Sequence, residues 1–414
     1  MKLSKISLAT LTAVGLAISS SASASTLVHK RFVAEYSENK KAEVIQTLNE
    51  AGADIKLELD SLDTIAFEVD SLETLRNLRA NSNLKIEMDP IRTVTPSGFT
   101  KIEDHTDDPL KTHPSLYGIH MVQSGDFPTG AAANPSKICV IDTGYDIAHE
   151  DLPKNAMGTN DLSGPWYGPL PEDLHYHGTH VAGTIGAIGN NGIGVSGVIP
   201  NVEDTGGFYI VRFFDSEGGV AYASGLAGAV EDCMNNGANV VNMSLGGPVY
   251  SKIEERAFER ARKAGILSIA AAGNDGVSTH SYPASYDSVM SVGALDSAKV
   301  IADFSQTTSQ VEISAPGVSV GSTGPGNEYI IASGTSMATP HVVGVAALVW
   351  SHYPHCSNFD IRTALKASAE DLGEPGHDYA YGAGLVQAKA AYDYLATNGC
   401  TGRICKGKEC DPAK

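Results

Sequence analysis

Gly334-Thr335-Ser336-Met337-Ala338-Thr339-Pro340-His341 runs directly into an apolar stretch, Val342 to Trp350. The pattern predicts a serine hydroxyl in a tight, glycine-led turn just before an apolar helix over 342–350. Gly334 lets the backbone bend close beside Ser336. The helix that follows would aim free N–H groups and the positive end of its dipole toward the hydroxyl. Such a serine suits a nucleophile. It still needs a base, a group to orient the base, and donors for an oxyanion.

Three other segments offer those groups. Val140-Ile141-Asp142-Thr143-Gly144 sets a carboxylate just past the C-terminal end of a strand predicted over 137–141, where sites assemble in open parallel sheets. His177 opens His177-Gly178-Thr179-His180-Val181-Ala182-Gly183-Thr184 at the start of a helix. Asn274 follows another strand in Ala271-Ala272-Gly273-Asn274-Asp275-Gly276. Singly, Asp142 reads as a turn former, His177 as a structural histidine and Asn274 as a turn residue. Together they do not. A preset eight-residue string like that around Ser336 would arise by chance in about 1 in 10⁷ to 10⁸ chains of this size.

With the order Asp142, His177, Asn274, Ser336, the chain resembles the subtilisin-like serine proteases, the subtilases, from Tyr117 to about Leu395. The resemblance implies a subtilisin-like α/β fold and a serine endopeptidase. Ser336 would attack the scissile carbonyl and His177 would act as general base. Asp142 would fix the His177 tautomer, and the Asn274 amide with the Ser336 N–H would bind the oxyanion. His180, one turn past His177, reads as structural. Asn242-Met243-Ser244-Leu245-Gly246-Gly247 matches the family's substrate segment, so Ser244, Leu245 and Gly246 are expected to line the cleft. Gly219, in Gly218-Gly219-Val220, is expected to supply the opposing strand. Ser281-Tyr282-Pro283 would floor the main pocket. A serine there offers no carboxylate, which argues for broad cleavage after medium or large apolar residues rather than strictly dibasic cleavage. Structural Ca²⁺ is implied, held by Asp151, Asn191, Ile193 and Val195 through hard oxygen ligands. The chain departs from the family at about His113, where a glutamine ligand is expected, and in a loop one residue longer before Asn190.

The rest of the chain fits that reading. It has 414 residues, 42% hydrophobic, with 43 glycines and a net charge of −19. Such an acidic balance excludes nucleic acid and anionic membranes as partners. Residues 1–24 read as a signal peptide: Lys2 and Lys5, an apolar core from Leu8 to Ile18, and Ala22-Ser23-Ala24 as the cleavage site. No membrane anchor is expected, and the mature protein is read as a secreted monomer acting on protein and peptide substrates. Alternation predicts a ferredoxin-like α+β domain over 25–95, in the order β-α-β-β-α-β. In it, Asp70 is expected to cap a helix, with Glu73 completing a capping box. By resemblance this domain is the inhibitory propeptide, an intramolecular partner of the cleft. A polar connector over 96–113 carries the maturation site. Residues 114–395 read as the peptidase domain, a parallel sheet covered by helices on both faces. A cysteine-bearing tail closes the chain over 396–414. The six cysteines suit an oxidising compartment. Cys139 is paired here with Cys233, leaving Cys356, Cys400, Cys405 and Cys410 to tie down the tail. The alternative for Cys139 is a small buried hydrophobe.

The sequence admits two rival functions. One is a metal-dependent hydrolase using His175, His177 and His180, although no His-Glu-x-x-His motif occurs. The other is a catalytically inactive subtilase-fold binding protein, which the filled positions 142, 177, 274 and 336 argue against.

Overall fold

The computed structural model describes residues 29–94, 98–102, 114–127, 136–159, 166–167, 175–202, 206–215, 218–401, 404–406 and 409–411. The expected signal peptide, His113 and most of the connector lie outside these residues.

The N-terminal unit runs β1 (Arg31–Glu35), α1 (Lys41–Glu50), β2 (Asp54–Leu59), β3 (Thr64–Glu68), α2 (Leu72–Ala80) and β4 (Lys85–Met88). Its antiparallel sheet has the order β2-β3-β1-β4, the split β-α-β arrangement. Alternating side chains serve its two faces. Phe32, Ala34, Ile65 and Phe67 pack under Val44 and Leu48 of α1 and Leu75 and Leu78 of α2. Val33, Leu59 and Ala66 turn the other way, onto the next domain. One expected detail is corrected. Ser71, not Asp70, caps α2: its hydroxyl accepts from the Thr74 N–H at 3.0 Å. Asp70 sits one residue too early and pairs with Lys30 at 2.8 Å instead. Glu73 therefore misses the third helical position that a capping box requires.

Beyond β4 come β5 (Ile91–Arg92), β6 (Phe99–Lys101), α3 (Tyr117–Met121), β7 (Ile138–Asp142), β8 (Met157–Thr159) and α4 (Tyr176–Gly186). Next are β9 (Phe208–Arg212), β10 (Ala221–Tyr222), α5 (Ala223–Asn235), β11 (Val240–Met243), α6 (Lys252–Lys263), β12 (Leu267–Ala271) and β13 (Val289–Leu295). The chain continues through β14 (Val311–Pro316), β15 (Val320–Gly324), β16 (Glu328–Ala332), α7 (Thr335–His352), α8 (Asn358–Ala367) and α9 (Ala388–Asn398). A backbone hairpin of β17 (Ile404–Lys406) and β18 (Glu409–Asp411) follows.

Seven strands form one parallel sheet in the order β14-β13-β12-β11-β7-β9-β8. Each inner strand is apolar on both faces, as a sheet covered on both sides requires. In β7, Ile138 and Val140 join the core beneath α4 and α7, while Cys139 and Ile141 face α5 and α6. The expected α/β architecture is thus present. A disulfide joins Cys139 to Cys233, tying β7 to α5, and a second joins Cys356 to Cys400, fastening the end of α9 beside α8. The strand order reverses around β7, so the sheet's crevice opens where β7 and β11 end.

Two expectations change here. The helix after Gly334 begins at Thr335, not at Val342, and Ser336 lies in its first turn. Pro340 sits inside that helix and cannot donate to the Ser336 carbonyl. The Ser244 hydroxyl does so instead, at 2.8 Å, so the helix passes through the proline. The connector is also more than a polar link. Within it Phe99–Lys101 adds an antiparallel strand to β16, and Ile102 is buried.

Two histidines of this core set an acid limit. His180 and His341 are fully buried, and burial pulls their imidazoles down to about 3 and about 4. Unfolded, each would take a proton near its ordinary value of about 6.5. The unfolded chain therefore binds more protons between that value and the folded ones. The contribution of these two imidazoles to stability is complete above about pH 6.5 and falls as pH drops below it. Melting temperatures of the protein should decline steadily from about pH 6.5 to about pH 4. A flat profile over that range would show that the two imidazoles do not control it.

Candidate active site

Asp142 ends β7 and is fully buried. Both its oxygens accept from His177 Nδ1, at 2.8 and 3.0 Å, and Oδ1 also accepts the Thr143 N–H at 2.7 Å. His177 lies in the first turn of α4, whose N-cap is His175. Close approach demands glycine next to it: a Cβ at Gly178 would lie 2.2 Å from the Gly144 carbonyl oxygen. The other ring nitrogen, His177 Nε2, is buried and has no hydrogen-bond partner among the described residues. A neutral imidazole held by a carboxylate on one side has a lone pair to offer on the other.

Ser336 sits at the N-terminus of α7, 3% exposed, and its hydroxyl donates to the Ser244 carbonyl at 3.2 Å. The first turn of α7 distributes its N–H groups in an informative way. Thr335 N–H goes to Asn274 Oδ1 at 2.8 Å, and the Met337 and Ala338 N–H groups go to the Gly334 carbonyl. Ser336 N–H makes no hydrogen bond among the described residues. The Thr335 hydroxyl also donates to Asn274 Oδ1, at 2.8 Å. With Oδ1 doubly used, the amide is fixed and its Nδ2 lies over Gly334, where a Cβ would come within 3.3 Å. Gly334 has φ +153°, which disfavours any side chain. Two N–H donors, a hydroxyl and an oriented imidazole can together support acyl transfer.

Ser244, Leu245 and Gly246 follow β11 at the mouth of the sheet, and Gly246 exchanges two hydrogen bonds with Thr93, at 2.9 and 3.1 Å. The opposing strand is Ala221–Tyr222, which pairs antiparallel with Ile91–Arg92. Gly219 does not take that part. Its N–H turns to the Asp215 carboxylate at 2.8 Å. The chain's own segment 91–93 therefore lies as a strand between two segments of the larger domain. Further along it, Phe99 packs on Tyr176, with ring centroids 4.6 Å apart. Ser281 approaches Gly246, where a Cβ would meet its hydroxyl at 2.7 Å.

The expected cation ligands also gather. Asn191 Nδ2 donates to Asp151 Oδ1 and Val195 N–H to Oδ2, both at 2.7 Å. Asn191 Oδ1 accepts the Ile193 N–H at 3.1 Å. Asp151 is buried and makes no ion pair among the described residues, and burial pushes its carboxyl up to about 7. The Ile193 and Val195 carbonyls accept no hydrogen bond among the described residues. A carboxylate that burial leaves short of positive charge, an amide and free carbonyls form an oxygen-rich set suited to a hard cation.

The three imidazoles of the rival metal reading do not converge. His180 Nε2 bonds the Val320 carbonyl, His177 Nδ1 holds Asp142, and the His175 side chain caps α4. Among the described residues the one metal-like cluster is His355, Cys356 and Cys400, and its sulfurs form a disulfide.

Sequence reasoning passed over Glu254, which is fully buried against Arg92. It lies on one stripe of α6 with Ala257, Phe258 and Ala261, all buried. A carboxylate on an apolar stripe was the signal available.

Known proteins are similar to this chain. The family model described as "Subtilase family" matches residues 134–384. Subtilisin DY of Bacillus licheniformis is 42% identical over 280 residues, covering 66% of this chain and 97% of its own. The M-protease of Shouchella clausii is 36% identical over 395 residues, covering 94% of this chain and 98% of its own. Among solved structures, fervidolysin from Fervidobacterium pennivorans, a keratinolytic enzyme related to subtilisin, aligns with a TM-score of 0.73 at 26% identity. That alignment covers 89% of this chain and 61% of fervidolysin.

Proposed function

The chain belongs to the subtilase family and is a serine endopeptidase, and on that premise we propose that it is exported as a self-processing zymogen that hydrolyses extracellular proteins with broad specificity. The observation that carries this reading is the Asp142–His177 pair with its buried, unpartnered Nε2. Ser336 attacks the scissile carbonyl as His177 Nε2 takes its proton. Asp142 stabilises the imidazolium, which then protonates the leaving amine. The Ser336 N–H and Asn274 Nδ2 receive the oxyanion. Ser244 to Gly246 pair with the substrate as an added strand. A serine-directed phosphonate should label Ser336 and stop casein hydrolysis. Absence of both hydrolysis and labelling would overturn the reading and favour an inactive binding protein.

The N-terminal unit acts as the inhibitor. Its sheet packs on Ala227, Ile253 and Ala257, and Asp89 accepts from Ser224 N–H and hydroxyl at 2.9 and 2.6 Å, capping α5. The segment after its last strand, Ile91 to Thr93, lies where a substrate strand would pair. Residues 25–95 are this propeptide, and maturation falls within 96–113. Residues 1–24 direct export, consistent with two disulfides. No helix among the described residues is long and apolar enough to cross a membrane.

Asp151, Asn191 and the carbonyls of Ile193 and Val195 would hold a structural Ca²⁺, supplying charge to a buried carboxylate. Adding calcium at about 100 times its dissociation constant should stabilise the mature enzyme by about 3 kcal/mol. A chelator should lower the melting temperature accordingly, and Asp151→Asn should abolish the difference. Equal melting with and without calcium would remove the site.

A further inference from the structure

We propose that Glu254 makes one substrate subsite upstream of the scissile bond selective for a cationic side chain, arginine ahead of lysine. The inference rests on the endopeptidase reading above and names a substrate preference for that same cleft. It begins from Arg92, which is fully buried although it belongs to a segment lying across the surface of the peptidase domain. Its Nε donates to Glu254 Oε1 at 2.9 Å and its Nη2 to Oε2 at 2.5 Å, a two-point pairing. The same Nη2 reaches the Val249 carbonyl at 3.1 Å. The Tyr286 hydroxyl donates to Glu254 Oε2 at 2.7 Å. Tyr250 and Tyr282 pack on the Tyr286 ring and on each other, with ring centroids 5.0 to 5.8 Å apart. Gly247 gives the approach, since a Cβ there would lie 3.1 Å from Arg92 Nη1 and 2.5 Å from the Ile91 carbonyl oxygen.

The register makes this a substrate site and not only a domain contact. Thr93, the next residue, exchanges both backbone hydrogen bonds with Gly246, while Ile91 and Arg92 pair with β10. Arg92 thus enters its pocket from a backbone laid out as an extended peptide would lie in the cleft. When the N-terminal unit departs, the pocket keeps Glu254, Tyr286 and the Val249 carbonyl, and loses its cation. A buried carboxylate left with one hydroxyl donor is poorly compensated. A substrate residue in the same register restores the pairing if it is cationic. Arginine serves both carboxylate oxygens and the carbonyl with a planar fork, whereas lysine offers a single ammonium. An apolar side chain would fill the space and leave the charge unpaired.

The test uses the matured enzyme, collected after expression of the full chain, and a denatured peptide mixture whose cut sites are read by mass spectrometry. Arginine, then lysine, should be enriched roughly tenfold or more at one fixed upstream position. Glu254→Gln should erase that enrichment while leaving the other positions unchanged. Cleavage with a flat or apolar profile at every upstream position would overturn the subsite and leave the endopeptidase reading intact. That outcome is read on the unmodified enzyme and does not depend on the variant folding. Absence of any cut together with absence of phosphonate labelling would remove both.

Discussion

Replacing Ser336 with alanine should reduce kcat by about 10⁶-fold, a magnitude taken from subtilisin itself, a member of this family, rather than derived from the present geometry. It should also leave the chain uncut. The substitution removes only the hydroxyl, whose one hydrogen bond among the described residues goes to the Ser244 carbonyl at 3.2 Å. The contacts that shape the turn remain. Ser244 still donates to the Ser336 carbonyl, and Thr335 still holds Asn274. The variant should therefore fold and melt close to the parent precursor. Its gel band should stay at the full-length position, because the N-terminal segment in the cleft finds no nucleophile there. Expressed alone in a host lacking other proteases, a variant that still matured normally would defeat self-processing. A variant that failed to fold would instead show that the hydroxyl has a structural part.

The peptidase fold was legible because it is written locally. Apolar runs at β7, β9, β11 and β12 alternate with helical stretches, and glycines mark close approaches such as Gly178 and Gly334. What escaped the sequence depends on partners far along the chain. The helix over 335–352 could not be started correctly without knowing that Ser244 relieves the carbonyl that Pro340 abandons. The resemblance assigns Gly219 to the opposing strand of the cleft, but the Asp215 carboxylate claims its N–H. Phe99–Lys101 has the composition of a link, and only the open edge of β16 makes it a strand. Arg92 and Glu254 each look like surface charges, and their 162-residue separation hides the pair. Asp70 was a nearer miss. Asp and Ser are both good caps, and the backbone at Ser71 decided between them.

Asp142→Asn should lower kcat by about 10⁴-fold with little change in KM, the magnitude known for the equivalent change in another serine protease family. Direction follows from the hydrogen bonds. Thr143 N–H donates to Asp142 Oδ1 at 2.7 Å, and a backbone N–H cannot become an acceptor. The new side chain therefore keeps its carbonyl oxygen at that position, 2.8 Å from His177 Nδ1, and sets its NH₂ where Oδ2 now lies, 3.0 Å from the same nitrogen. A proton on Nδ1 would crowd the NH₂ hydrogens, so Nδ1 is favoured as acceptor of an NH₂ hydrogen and the proton moves to Nε2. An imidazole protonated at Nε2 cannot take the Ser336 proton. The oxyanion donors Ser336 N–H and Asn274 Nδ2 are untouched, so substrate binding and some residual catalysis remain. Kinetics on the matured variant, released with an added protease where self-cleavage is too slow, would measure the split. A loss within about tenfold would mean that Asp142 only packs against His177 and does not set its tautomer.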